Sequence, residues 1–108
     1  MSPSRARDPE NWPRLRPFLE ILEKTKSGPL TFRLAVSENF VSWDGKQPDH
    51  EETPWTASRW MLTVPDMQWA LVFEVPYANA SGQEVNQQTT RIWGHDFATA
   101  LQKCLSMR

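Results

Sequence analysis

Between Ser58 and Val75 the chain reads Ser-Arg-Trp-Met-Leu-Thr-Val-Pro-Asp-Met-Gln-Trp-Ala-Leu-Val-Phe-Glu-Val, and that order prescribes a strand register. With Pro65 and Asp66 as the central residues of a tight turn, proline setting φ at the first, Val64 faces Met67. Leu62 then falls opposite Trp69, Trp60 opposite Leu71 and Ser58 opposite Phe73. The large apolar side chains of both arms share one face at a period of 2, whereas a slip of one residue would bury Arg59, Thr63, Gln68 and Glu74. The pattern predicts an antiparallel hairpin packed on a core.

The flanking segments supply further elements. Trp12, Leu15, Phe18, Leu19 and Leu22 recur at three- and four-residue steps and predict a helix with one apolar stripe, its end marked by Lys24, Lys26 and Ser27-Gly28-Pro29. Pro17 deletes an internal hydrogen bond, so the regular helix is expected to start there, after an irregular turn. Leu30, Phe32, Leu34 and Val36 alternate with Thr31, Arg33 and Ala35 as in a half-buried strand. Phe40 to Trp43 reads as a short second strand closed by Asp44-Gly45, and a long connection over 44–57 carries Pro48 and Pro54. After the hairpin, a polar turn over 76–83 leads to a fifth strand, Glu84 to Trp93, polar on both faces at Asn86-Gln87-Gln88-Thr89-Thr90. Asp96 is an apt N-cap for a last helix, whose stripe is Phe97, Ala100, Leu101, Cys104 and Leu105.

Together these readings predict an α+β fold: a single antiparallel sheet of about five strands, with the N-terminal and C-terminal helices packed on one face in the order α-β-β-β-β-β-α. Residues 1–10 are expected to form a flexible arm and residues 11–108 one domain, within the ordinary domain size range. The arm contains no apolar leader and no window reaches the length of a membrane span, so a cytoplasmic protein with no membrane partner is expected.

Composition narrows the chemistry. A net charge of -1 provides no overall attraction for nucleic acid, although residues 1–26 are mildly basic and residues 37–54 carry Glu38, Asp44, Asp49, Glu51 and Glu52 against Lys46 alone. One cysteine, Cys104, excludes an internal disulfide and falls on the inward stripe of the last helix. The four glycines, at 28, 45, 82 and 94, stand apart and form no phosphate loop. His50 and His95 are the two imidazoles; Asp49-His50-Glu51-Glu52 reads as a solvated acidic loop, and His95 as lining a helix entry. Neither a catalytic set nor a cofactor or metal site is expected, an activity based on His95 with Glu74 or Asp96 being the one enzymatic reading.

What remains is aromatic. Six tryptophans are present; Trp60 and Trp69 are claimed by the hairpin core, Trp12 by the first helix and Trp43 by the second strand, leaving Trp55 and Trp93. Exposed tryptophan is enriched in interface hot spots because it buries a large rigid area at little entropic cost. The outer face of the hairpin adds Arg59, Met61 and Val72, an apolar centre with a polar rim, and the fifth strand adds Gln87 and Thr89. The expected function is a non-enzymatic interaction module that binds a protein partner with a basic surface through these residues, homodimerisation being a further use of the same surfaces. The alternatives are a small-molecule domain with an aromatic pocket between sheet and helices, and single-stranded nucleic-acid binding by aromatics with Arg33, Arg59 and Arg91, which the net charge disfavours.

Overall fold

A computed structural model describes residues 9–39, 60–73, 75, 78–80 and 82–107. Helix α1 is Trp12–Thr25, a short helix α2 is Leu34–Asn39, the two-residue strands β1 (Asn79–Ala80) and β2 (Gln83–Glu84) follow, and α3 is Gln87–Ser106. The described residues fall into two compact units, 9–16 with 35–39 and 60–73 in the first, and 17–34 with 75, 78–80 and 82–107 in the second.

Helix α1 forms on the stripe read from the sequence, and it begins earlier than Pro17. Leu15, Phe18, Leu19 and Leu22 are fully buried and Trp12 nearly so. Asn11 opens the helix, its carbonyl accepting from the N–H groups of Arg14 at 3.1 Å and Leu15 at 3.0 Å. Pro17 lies inside the helix and faces solvent. Its missing N–H strands only the carbonyl of Pro13, itself exposed, where water can serve as donor. One lost hydrogen bond is outweighed by five apolar side chains on a single stripe.

The expected sheet of about five strands is not found among the described residues. Among the described residues the sheet is two-stranded and antiparallel, pairing Asn79 with Glu84 and Ala80 with Gln83. Gly82 has φ of +85°, the left-handed turn conformation that glycine tolerates, and its N–H donates to Asn79 Oδ1 at 3.0 Å. The segment expected to be the first strand keeps its alternation without a ladder: Leu30, Phe32 and Leu34 are buried while Thr31 and Arg33 are exposed. At Leu34 the chain turns into α2, its first N–H taken by the Glu23 carboxylate of α1, and Val36 ends up 65% exposed.

Among the described residues 60–73, the expected 58–75 hairpin keeps its turn and shows no strand. Met67 N–H donates to the Val64 carbonyl at 3.2 Å across Pro65 and Asp66, and Asp66 has φ of +66°, which suits the third position of a turn opened by proline. Before the turn, however, the N–H groups of Thr63 and Val64 donate backwards to the carbonyls of Trp60 and Met61, at 2.9 and 3.1 Å. Those amides coil the arm locally and cannot face a partner strand. After the turn, Ala70 is held from a distance: Asn11 Nδ2 donates to its carbonyl at 2.8 Å and its N–H donates to Asn11 Oδ1 at 3.1 Å. One primary amide thereby makes both bonds that a neighbouring strand would have made. The expected second strand at 40–43 and the 44–57 connection lie outside the described residues.

The fifth strand is replaced by helix. Only Gln83–Glu84 is strand, and from Gln87 the chain is α3. Asn86 is the N-cap, in extended backbone, with its Oδ1 accepting from Thr89 N–H and Thr89 Oγ1 accepting from Asn86 N–H, each at 2.9 Å. This reciprocal pair is a capping box with threonine in the place usually held by Glu or Gln. Asp96, expected to cap a shorter helix, lies inside α3 and is buried there. The apolar stripe survives for most of its length: Ala100 is fully buried, Phe97, Leu101 and Cys104 are half-buried, and Leu105 is 55% exposed. No helix among the described residues is long and apolar enough to cross a membrane.

Two substitutions test this description. Asn11→Ala leaves the N–H and C=O of buried Ala70 without their partners and is expected to cost about 2–3 kcal/mol in urea unfolding, well above an ordinary surface change. Asn86→Ala removes the α3 cap and is expected to cost about 1 kcal/mol, with helicity lost chiefly from the first turn, as read by amide exchange of residues 87–90.

Candidate partner surface

Among the described residues of the first unit, the exposed large apolar side chains are Val36 on α2 and Trp60 and Val72 on the 60–73 segment, where hydrogen bonds tie the backbone of the turn. The Trp60 carbonyl accepts twice from Thr63, from its N–H and from its hydroxyl at 2.6 Å, so the turn bearing the indole is closed by both groups of one residue. Arg14 Nη1 donates to the Met67 carbonyl at 3.4 Å, and the Asn11 amide holds Ala70 farther along. On this segment Trp60 is 61% exposed and Val72 42%, while Met61 is half-buried. Trp60 is therefore a surface residue, not the core residue its place in the alternating pattern implied. Coiling of residues 60–64 rotates successive side chains by about a third of a turn instead of alternating them, which removes the shared face with Leu71. Arg16 of α1 and Glu38 of α2 pair at 3.3 Å, a half-buried single contact with little energetic weight.

The second unit holds the other described candidates. Trp93 lies on α3, half-buried, with its ring 6.4 Å from that of Phe32 and tilted by 48°. Phe18 and Phe97 meet edge to face at 5.1 Å. Aromatic surface is thus spent on packing between α1, the 30–33 segment and α3. Gln87 is exposed at the first position of α3, and Thr89 is committed to the capping box, its hydroxyl also donating to the Glu84 carbonyl at 3.0 Å. The structure consequently places Met61 and Val72 in one unit and Gln87, Thr89 and Trp93 in the other. Trp55 and Arg59 lie outside the described residues, as does the acidic run 49–52.

Among the described residues Asp96, expected to cap a helix, is a buried and fully engaged carboxylate. It is 3% exposed, and its carboxylate receives three hydrogen bonds from the turn after α1: Ser27 N–H and Ser27 hydroxyl at 3.0 Å to Oδ1, and Gly28 N–H at 2.8 Å to Oδ2. Burial by itself would raise the pKa of this carboxyl. The Ser27 and Gly28 N–H groups, the Ser27 hydroxyl and the Lys26 ammonium outweigh that penalty and hold it below its ordinary value of 3.8. The signal was available in sequence, since Asp96 sits four residues before Ala100 on the inward stripe of α3, where an ionisable side chain needs buried donors. Gly28 is required there on steric grounds as well: a β-carbon on it would overlap Cγ2 of Ile92 and crowd the Asp96 carboxylate.

This arrangement also bears on the enzymatic reading. His95 is exposed on α3, and its neighbour Asp96 directs its carboxylate to Ser27 and Gly28 instead of an imidazole. Among the described residues no group of three or more His, Cys, Asp or Glu side chains is arranged to hold a metal ion. Trp12 Nε1 is the one side-chain polar atom among them that is buried without a hydrogen-bond partner. Comparison with known proteins finds no matching family, no similar curated protein and no similar solved structure.

Two measurements check the Asp96 lock. Because the folded-state pKa lies below the unfolded value, the stability that ionised Asp96 contributes is fully present above pH 3.8 and is lost as pH falls through the lower, folded value. Asp96→Asn is expected to cost about 2 kcal/mol at neutral pH, where charge-assisted bonds are lost, and to flatten the acid limb of the stability curve. A gap between wild type and variant that stayed constant down to about pH 2 would contradict the assignment. Gly28→Ala is expected to cost about 1–3 kcal/mol through overlap with Ile92, and to cost less in an Ile92→Ala background, the two sites being non-additive in a double-mutant cycle.

Proposed function

We propose that the chain is a non-enzymatic module that binds a protein partner through the apolar side chains of the 60–73 segment, with Trp60 as the principal anchor. The observation that carries this reading is an indole 61% exposed on a backbone already tied by hydrogen bonds from Thr63. A large apolar ring costs free energy while it faces water, and a tied backbone has little conformational freedom left to lose when a partner covers it. Val72, 42% exposed on the same segment, is a second exposed apolar side chain, and half-buried Met61 offers an adaptable thioether.

The other candidates take lesser parts. Trp93 already spends ring area on Phe32, and Thr89 is occupied in starting α3, so substitutions at either would act on stability before they acted on a partner. Gln87 is exposed and free of that task, which makes it a suitable control.

The test is affinity capture with the full chain as bait, quantified by mass spectrometry, followed by titration of the purified captured protein. Trp60→Ala is expected to weaken that complex by about 30-fold, the scale of a tryptophan hot spot. Val72→Ser should weaken it by a smaller factor, and Gln87→Ala should leave it unchanged. Far-UV circular dichroism and thermal melts establish that each variant remains folded. Absence of any protein enriched over a blank bait, or equal affinity for wild type and a folded Trp60→Ala variant, would overturn the reading.

A further inference from the structure

We draw no further inference here: the strongest candidate, the exposed apolar surface of Trp60 and Val72 on the 60–73 segment, already carries the proposed partner contact, and nothing among the described residues shows what chemistry covers it.

Discussion

Backbone N–H and C=O groups that leave water must find partners, and in this chain side chains from the helices and their starts supply some of them. The Asn11 amide takes both backbone groups of Ala70, the Asp96 carboxylate takes the N–H groups of Ser27 and Gly28, and the Glu23 carboxylate takes the N–H of Leu34. An unpaired buried backbone group costs as much as a lost hydrogen bond or more, so these side chains decide where irregular chain can be buried. They have a shared character: each lies on or at the start of a helix and reaches backbone distant in the chain, irregular at Ala70, Ser27 and Gly28 and the first turn of α2 at Leu34. Helices α1 and α3 are thereby the scaffold on which the connecting segments are fixed.

The Asp96 contacts show how electrostatics and packing cooperate in the second unit. A carboxylate taken out of water is tolerated because it accepts three hydrogen bonds from the turn after α1 and has Lys26 nearby. Gly28 allows Ile92 and Asp96 to approach that turn closely, and Phe18 against Phe97 places a second contact between the same two helices. The Asn11 contact in the first unit uses a neutral amide for a similar end. It has no charge to desolvate, and its donor and acceptor match the two groups of a single residue.

Legibility in the sequence followed the range of the interaction. The α1 stripe, its termination near Ser27-Gly28, the turn at Pro65-Asp66 and the inward faces of 30–34 and 97–104 all depend on residues close together in the chain, and each is seen in the structure. Alternation specifies which side chains share a face and leaves open what takes the backbone amides, so the sheet it predicts exceeds the two strands found among the described residues. In 30–34 the alternation of burial falls on irregular chain that runs from a bend at Leu30 into α2 at Leu34, and in 60–64 it coincides with a coiled arm. The polar run over 86–90, read as a strand with no apolar face, is the start of a helix whose cap is Asn86 with Thr89. An Asn three residues before Thr is a weaker signature than Ser or Thr before Glu, which is why the helix was read as starting at Asp96.

The sequence by itself determined the local elements: a helix from the spacing of Trp12 to Leu22, a turn from the fixed φ of Pro65, and a second helix from the spacing of Phe97 to Cys104. Tertiary structure decided whether extended segments pair, which tryptophan faces solvent and where Asp96 sends its carboxylate. The reason is physical. Periodicity and turn chemistry act over a few residues, whereas the Asn11 to Ala70 contact closes 59 positions and the Asp96 to Ser27 contact 69. Partners at that separation are selected by the free energy of the folded whole, because each must satisfy a group whose burial exists only once the rest of the chain has packed.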